Sequence, residues 1–398
     1  MFLPGLQRAR RAVRTVGGWW LPAAAAVALL AGVLPPGDAR TVLDRIWPVM
    51  AFLVAVTVVA ELADAAGLFE AAAAVAARAG RGSVPALWLL VVVLATATTA
   101  LLSLDTTAVL LTPVVLALAQ RLALPPVPFA LATAALANTG SLLLPVSNLT
   151  NLLAVERSGW SAGTWAGRMW LPALVSVVVT VVVLGLVARR DLRGRYPVGP
   201  SAPVAHRGLL GLAATACLGL GIAVGAGVPP WLAAGVAALV LVAGFARAEP
   251  ARLTRELLPG RLLIGTVAVF LLVAAAERHG LSGLLHRAAG TSSGSGFTDL
   301  LRTAGVGAAA ANALNNLPAY LALEPSAVAG GGMHLLALVI GVNAGPLVTP
   351  WASLATLLWR ERCQARGVTI APLRLAGYGL LLAVPVVVAT TAALALTG

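Results

Sequence analysis

The sequence predicts an all-α polytopic membrane protein, an inverted repeat of about 9–11 transmembrane helices with two re-entrant hairpins and two broken helices. Three observations support this fold class. Of the 398 residues, 60% are hydrophobic and only 10% are charged, which is not the composition of an ordinary soluble domain. Apolar segments of roughly 17–25 residues, long enough to cross a bilayer, recur along the chain. Two polar motifs that interrupt such segments are similar to each other.

Nine apolar segments are expected to cross the membrane. They lie at 19–35, 47–66, 125–155, 168–188, 208–227, 229–246, 259–277, 334–359 and 374–396. The first has the outline of a signal peptide, but it is long and no cleavage site follows, so we interpret it as an uncleaved span. Two more apolar segments, about 86–121 and 296–325, have polar centres and are each either two spans or one re-entrant hairpin. Amphipathic segments at 70–80 and 279–289 are expected to be interfacial helices.

The distribution of arginine decides between the two topologies. All 27 basic residues are Arg, and cytoplasmic loops are enriched in basic residues. Two hairpins place 20 of the 27 on the inside together with the N-terminus, whereas two single crossings give 14 inside and 13 outside. We therefore expect the hairpin topology, a cytoplasmic N-terminus and a multi-pass location in the plasma or inner membrane. The net charge of +13 arises from these loops and does not indicate nucleic-acid binding.

An internal repeat supports the same topology. Residues 138–153 (NTGSLLLPVSNLTNLL) and 343–358 (NAGPLVTPWASLATLL) are identical at seven of sixteen positions with a constant offset of 205. An additional span between the halves gives them opposite orientations, as in secondary transporters whose sites lie between broken helices. The expected organisation is a cytoplasmic N-terminus (1–18), a first transmembrane repeat (19–188), a cytoplasmic linker (189–207), an extra helix (208–228) and a second, inverted repeat (229–398).

Uncharged polar side chains concentrate at the two breaks and at the two hairpin tips. Unwound backbone inside a membrane must be buried in protein or line a cavity, so these side chains either satisfy the backbone or also bind a solute. Their recurrence in both repeats favours solute binding. The expected substrate-binding residues are Asp105, Thr106, Thr107, Asn138, Ser147, Asn148, Thr150, Asn315, Asn316, Asn343, Thr349, Ser353 and Thr356.

Asp105 lies in the motif SLDTT (103–107) at the first hairpin tip and is expected to be the one carboxylate deep in the membrane. It can cap the helix that follows, or it can carry a proton or cation, which is the usual role of an intramembrane acid. Burial favours its protonated form. We expect Asp105 to couple transport to an ion. Five other acids are expected to be solvated at interfaces: Glu61, Asp64, Glu277, Asp299 and Glu324.

Patterns for catalysis, metals or nucleotides are missing from the sequence. The four His and two Cys form no ligand cluster, so no metal or cofactor is expected. A G-x-x-x-x-G-K-[ST] nucleotide loop is absent, and no nucleophile and base lie together at membrane depth. We therefore expect a non-enzymatic protein that is driven by an ion gradient or by a separate ATPase subunit.

Four motifs lie in the hairpin and broken-helix regions: LLTPVVLALA (110–119), LPVSNLTNLL (144–153), LNNLP (314–318) and TPWASLATLLW (349–359). Together they resemble the ArsB family of arsenite/antimonite efflux permeases, part of an ion transporter superfamily that includes sodium-coupled dicarboxylate carriers. The resemblance covers about residues 40–396. It implies an elevator-type carrier that exports metalloid hydroxides in exchange for protons, sometimes with an ATPase partner and often as a homodimer. One departure is Leu104, where the family usually has Asn before the tip Asp.

The chemistry at the breaks fits this resemblance and leaves alternatives open. Arsenite and antimonite are largely neutral trihydroxides, and a ring of Asn, Ser and Thr can hydrogen-bond their hydroxyls without a countercharge. A carboxylate or inorganic-anion carrier of the same fold is the second interpretation. Asp105 would repel an anion, although helix ends at the breaks could offset this charge. A sodium/proton antiporter, a channel and a non-transporting membrane protein are further alternatives.

Overall fold

The computed structural model describes residues 20–197, 206–280, 294 and 296–397. Within these residues the chain is helical, with one isolated β-bridge between Ser83 and Arg195 and no strand. Eight of the described helices are long and apolar enough to cross a membrane. The fold class predicted from the sequence is therefore confirmed. The expected N-terminal segment (1–18) and most of the interfacial helix expected at 279–289 lie outside the described residues.

Eight helices lie in the described part of the first half of the chain. They are α1 (Trp20–Leu30), α2 (Pro36–Ala65), α3 (Leu68–Ala79), α4 (Val84–Leu101), α5 (Leu104–Arg121), α6 (Pro126–Thr139), α7 (Leu149–Ser158) and α8 (Ala162–Val187). Helix α2 begins well before the span predicted at 47–66, because Pro36 at its first position is pre-organised for a helix start. The first turns of α2 contain charged residues, so hydropathy alone did not predict that the helix begins at Pro36.

The second half repeats this order after one additional helix. It contains α9 (Arg207–Gly225), α10 (Pro230–Ala248), α11 (Gly260–Arg278), α12 (Phe297–Ala313), α13 (Asn316–Ala329), α14 (Gly332–Ala344), α15 (Leu354–Ala365) and α16 (Pro372–Ala395). Two spans, a hairpin, a broken helix and a final span therefore occur twice, with α9 as the odd helix between them. The odd helix reverses the second copy relative to the first, as an inverted repeat requires.

Both hairpins turn back within the protein. Helices α4 and α5 form the first hairpin, and α3 packs against both of them. The first and last residues of the hairpin therefore lie on the same side of the molecule. Helices α12 and α13 form the second hairpin and pack along each other. Residues 189–197 dock beside the first hairpin, where the hydroxyl of Tyr196 donates to the carbonyl of Ala77 at 2.6 Å. The linker and the base of the first hairpin thus lie on the same side.

Proline and glycine account for the two breaks. Helix α6 ends at Thr139, and Gly140 and Pro145 follow before α7 begins. Helix α14 ends at Ala344, and Gly345 follows in the corresponding place. Proline has no backbone donor and glycine has a high entropic cost in a helix, so neither supports a continuous helix here. Each break separates two half-helices by nine residues, 140–148 and 345–353.

The helices divide into two groups by their packing. Helix α2 packs on α9, α10 and α11, and α1 packs on α11; we call these five helices the scaffold. The two hairpins and two broken helices pack together with α8 and α16, which also pack on each other; we call α4–α8 and α12–α16 the hairpin body. Fewer contacts, among them α2 with α7 and α11 with α13, join the two groups.

Candidate solute-binding site

The two broken helices are joined by hydrogen bonds between amide side chains of Asn148, Asn151 and Asn343, and we call this contact the crossing. Asn343, at the end of α14, is fully buried. Its Oδ1 accepts hydrogen bonds from Asn148 Nδ2 at 2.9 Å and from Thr150 Oγ1 at 2.7 Å. Its Nδ2 donates to Asn151 Oδ1 at 2.7 Å, and Asn151 in turn donates to the carbonyls of the first break. One Asn of the second repeat thus organises the start of α7 in the first.

Equivalent residues cap the half-helices that leave the breaks. Asn148 accepts from the backbone N–H of Thr150, and Ser353 accepts from that of Thr356. These caps are related by the offset of 205 seen in the sequence, and Asn, Ser and Thr are favoured at such positions because they satisfy unpaired donors. These expected site residues therefore already use much of their hydrogen-bonding capacity on other groups of the protein.

The hairpin tips lie against the breaks. Ser147, in the first break, donates from Oγ to the carbonyl of Ala100 near the first tip at 3.0 Å. At the second tip, the backbone N–H of Asn316 donates to the Ala352 carbonyl at 2.8 Å, and Asn315 Nδ2 donates to the Trp351 carbonyl at 2.9 Å. The structure therefore brings both tips and both breaks into one region.

Asn312 is a site residue that the sequence analysis missed. It lies one turn before the second tip, and its Nδ2 donates to the Gly345 carbonyl at 2.8 Å. Its Oδ1 accepts from the backbone N–H groups of Val348 and Thr349 at 3.0 and 3.1 Å, and Thr349 Oγ1 donates back to its carbonyl at 2.7 Å. A single Asn within an alanine run (308–313) was the available signal. Thr349, an expected substrate ligand, holds the second break in this arrangement.

Asp105 is not the residue that caps the helix at the first tip. Ser103, not Asp105, caps α5, because its Oγ accepts from the backbone N–H of Thr106 at 3.1 Å. The hydroxyl of Thr106 shares a hydrogen bond with Ser103, and that of Thr107 shares one with Thr99. Asp105 Oδ1 is buried and has no hydrogen-bond partner among the described residues. The structure thus removes the capping explanation for this acid.

Two further buried oxygens, on the helices next to α5, have no hydrogen-bond partner among the described residues. The first turn of α5, which carries Asp105, contacts α6 and α15, and Asn138 at the end of α6 has a buried Oδ1 that no described residue satisfies. Thr96 Oγ1 is also buried and has no partner among the described residues, and the Thr96 backbone lies beside Gly140, two residues after Asn138. Buried polar atoms without partners are rare in folded proteins and call for an explanation. Three acceptor oxygens here can receive hydroxyl protons or a cation.

The backbone near Asp105 departs from regular α-helix. Residues Thr107–Leu111 form a π-helical turn that begins two residues after Asp105. Pro113 lacks the N–H that an α-helix would need at this point, and Thr112 Oγ1 donates to the Thr107 carbonyl at 2.9 Å. Single π turns are frequent at functional sites. Among the residues described, no cluster of three His, Cys, Asp or Glu could hold a metal ion.

One expectation from the sequence was wrong. Glu324 was predicted to be a solvated interfacial acid, but only 3% of the residue is exposed and its carboxylate binds Arg45 at 2.6 Å. Asp105 is therefore not the one buried acid in the protein. Sequence position alone could not reveal that Arg45, 279 residues away, would supply the countercharge.

Two hairpins whose tips meet two crossed broken helices, in a bundle of spanning helices, define a membrane transporter built on an inverted repeat. A family model described as CitMHS, citrate transporter, matches residues 16–342 of the chain. The chain therefore belongs to this family of membrane transporters.

Curated relatives refine the position of the chain within this family. It is 30% identical over 399 residues to the arsenical pump membrane protein of Escherichia coli (strain K12), with 95% of this chain and 93% of that protein covered. The protein of the same name from Yersinia enterocolitica is 30% identical over 402 residues, with the same shares covered. These relatives confirm the resemblance to ArsB-type permeases.

A solved structure has the same fold. The Alcanivorax borkumensis YdaH transporter matches with a TM-score of 0.61, covering 90% of this chain and 86% of its own. Sequence identity in this match is 16%, so it concerns the fold alone.

Proposed function

We propose that this protein is a secondary active transporter of the plasma or inner membrane that exports arsenite and antimonite in exchange for protons. The observation that carries the proposal is Asp105, whose buried Oδ1 has no partner among the described residues although it lies where a hairpin tip meets the crossed breaks. The curated relatives are named arsenical pump membrane proteins, which supports the substrate class.

The donor and acceptor pattern suits a neutral trihydroxide. Arsenite hydroxyls are hydrogen-bond donors, and Asn138 and Thr96 supply buried acceptor oxygens without a compensating donor. An isolated buried carboxylate is costly, so Asp105 gains by accepting a proton whenever no solute donates to it. Solute and proton then occupy the site in turn, which is what antiport requires.

We propose that the hairpin body carries the solute across by an elevator-type motion against the scaffold. Extensive packing inside each group and the smaller contact between them support this mechanism. The hairpin body includes both tips and both breaks, so the site would move as a unit. Under this proposal the N-terminus is cytoplasmic, and a homodimer and an ATPase subunit are the expected partners.

The test is arsenite uptake into everted membrane vesicles, with an imposed proton gradient and with the gradient collapsed. We expect accumulation only with the gradient, and Asp105→Asn should abolish it. Asp44→Asn is the matched control, since Asp44 lies exposed on α2 and outside the hairpin body. Accumulation that persists in Asp105→Asn would contradict proton coupling through Asp105. Uptake that needs ATP instead of the gradient would point to the ATPase partner.

A carboxylate or inorganic-anion carrier is the second candidate function, because the matching family model is described as a citrate transporter. The N-termini of α5, α7, α13 and α15 all begin at the tips and breaks, and helix N-termini favour negative charge. Labelled citrate in the same vesicles tests this candidate, with and without sodium. Sodium-dependent citrate uptake and no arsenite uptake would reverse the order of the two proposals. Sodium/proton exchange without either solute would favour an antiporter.

A further inference from the structure

A salt bridge joins the scaffold to the hairpin body. Arg45 on α2 places Nη2 at 2.6 Å from Oε1 and 2.7 Å from Oε2 of Glu324 on α13. The hydroxyl of Tyr320, one turn earlier on α13, donates to the same carboxylate at 3.0 Å. The Glu324 side chain is 5% exposed and that of Arg45 is 36% exposed. The carboxylate therefore depends on partners from both groups of helices.

This connection has no equivalent at the matching position of the first hairpin. Counted from the helix caps Ser103 and Asn315, Thr112 corresponds to Glu324, and each precedes a proline. Thr112 is buried and donates to Thr133 on α6, inside the hairpin body. The salt bridge thus occurs at one of two pseudo-symmetric positions. It stabilises the present arrangement of scaffold and hairpin body relative to the arrangement in which the two repeats exchange conformations.

Each group of helices also carries an alternative partner for the charge it contributes. Glu277 on α11 belongs to the scaffold, like Arg45, and interacts with it electrostatically, as Glu156 on α7 of the hairpin body also does. Arg157 on α7 belongs to the hairpin body, like Glu324, and acts on Tyr320 beside that carboxylate. A charge left buried without a partner is strongly destabilising. A salt bridge that breaks during a motion therefore needs another partner for each of its two charges.

We propose that the Arg45–Glu324 salt bridge is a latch that holds the hairpin body against the scaffold in the state seen here. The latch opens by exchange of partners, with Arg45 passing to Glu277 and Glu324 passing to Arg157 as the body moves. This inference rests on the elevator-type motion proposed above.

Distances between spin labels test the latch in the full-length chain. Labels are placed at Leu43 on α2 and Ala329 on α13, both exposed, after Cys217 and Cys363 are replaced by Ala. The labels report the separation of scaffold and hairpin body by double electron–electron resonance in lipid nanodiscs. We expect two populations in the otherwise unchanged protein, with the latched one dominant.

Removing either half of the latch should move the equilibrium. Glu324→Gln and Arg45→Met should each shift the ratio of the populations about tenfold or more toward the unlatched state, and Tyr320→Phe should shift it less. Glu277→Gln should shift it the other way, because Arg45 loses its alternative partner within the scaffold. Asp38→Asn is the matched control: its salt bridge with Arg278 is equally short at 2.7 Å but lies inside the scaffold, so the ratio should not change.

Two results would overturn the latch, and they are distinguishable. An unchanged ratio in Arg45→Met and Tyr320→Phe, with two populations in the parent protein, rejects the latch and leaves the motion intact. These variants carry the test even if Glu324→Gln does not fold. A single population in the parent protein, with and without arsenite and at either proton gradient, rejects the elevator-type motion and the latch together.

Discussion

Asn343 donates a hydrogen bond from Nδ2 to Oδ1 of Asn151 at 2.7 Å, joining the second broken helix to the first. The pseudo-symmetric bond, from Asn138 to Thr356, is 3.5 Å long. Asn343 also uses its oxygen for two hydrogen bonds, whereas Asn138 Oδ1 has no partner among the described residues. Equivalent amides therefore differ: Asn343 holds the crossing together, and Asn138 has an acceptor available for a ligand.

Replacing these two amides should separate stability from transport. Asn343→Leu leaves three buried polar groups without a partner and should lower the free energy of unfolding by about 2–4 kcal/mol. Asn138→Leu removes one long bond between helices and should cost about 1 kcal/mol. In the vesicle assay, however, Asn138→Leu should lose most arsenite uptake. Each of the two variants is the control for the other, because both replace an Asn by Leu.

The protein carries its own probe for this measurement. Cys217 and Cys363 are both buried and unpaired, so a thiol-reactive fluorophore reports their exposure as the purified protein unfolds on heating. Equal thermal midpoints for the two variants would contradict the asymmetry of the crossing. Full transport by Asn138→Leu would remove Asn138 from the solute site.

A second pair of substitutions separates the cap of α5 from the acid beside it. Ser103→Ala removes an N-cap and should lower the free energy of unfolding by about 1 kcal/mol. Asp105→Asn should change it by less than about 0.5 kcal/mol, because an amide resembles a protonated carboxyl in shape and charge. Of the two, only Asp105→Asn should abolish the accumulation of arsenite that the proton gradient drives. A destabilised Asp105→Asn with coupled uptake would return Asp105 to a capping role.

The sequence predicted the architecture because membrane insertion constrains it so strongly. Spans follow from apolar length, the hairpins from the distribution of Arg, and the breaks from Gly and Pro around 140 and 345. The shared motif then located both breaks and singled out Asn148 and Ser353, which were predicted to bind substrate and which the structure shows as helix caps. Local patterns of this kind are visible because the physical cause and the residue lie in the same segment.

The contacts within the site could not be predicted in the same way. Pairs such as Arg45 with Glu324 or Asn343 with Asn151 join residues about 190–280 positions apart, and nothing local marks them as partners. Asn312 was missed because a single Asn in an alanine run has no periodic or motif signal. The sequence could name the polar side chains at the breaks, but not which of them are already satisfied by the protein.

Asn312 should prove more important for the second break than the tip residue beside it. Asn312→Ala removes one donor and two accepted bonds that hold residues 345–349, so it should cost about 2–3 kcal/mol. Asn315→Ala removes one side-chain bond to the break, that to the Trp351 carbonyl, together with the N-cap of α13, and should cost about 1–2 kcal/mol. Hydrogen exchange at 345–353 should rise in the first variant and change little in the second. Equal protection in both variants would show that the break is held by other contacts.

The second break also requires a glycine on the last helix. A Cβ on Gly379 would collide with the backbone of Leu347 and Val348, whereas a Cβ on Gly377, two residues earlier on α16, would meet nothing within 4 Å. Backbone cannot move aside as a flexible side chain can, so Gly379→Ala should destabilise the protein by about 1–3 kcal/mol and reduce uptake. Gly377→Ala should be neutral or stabilising by up to about 1 kcal/mol, because Ala favours a helix. The two variants are compared by thermal midpoint and by arsenite uptake per folded molecule. If Gly379→Ala matched Gly377→Ala in both, α16 would not pack closely on the break, and the final span would not be part of the hairpin body.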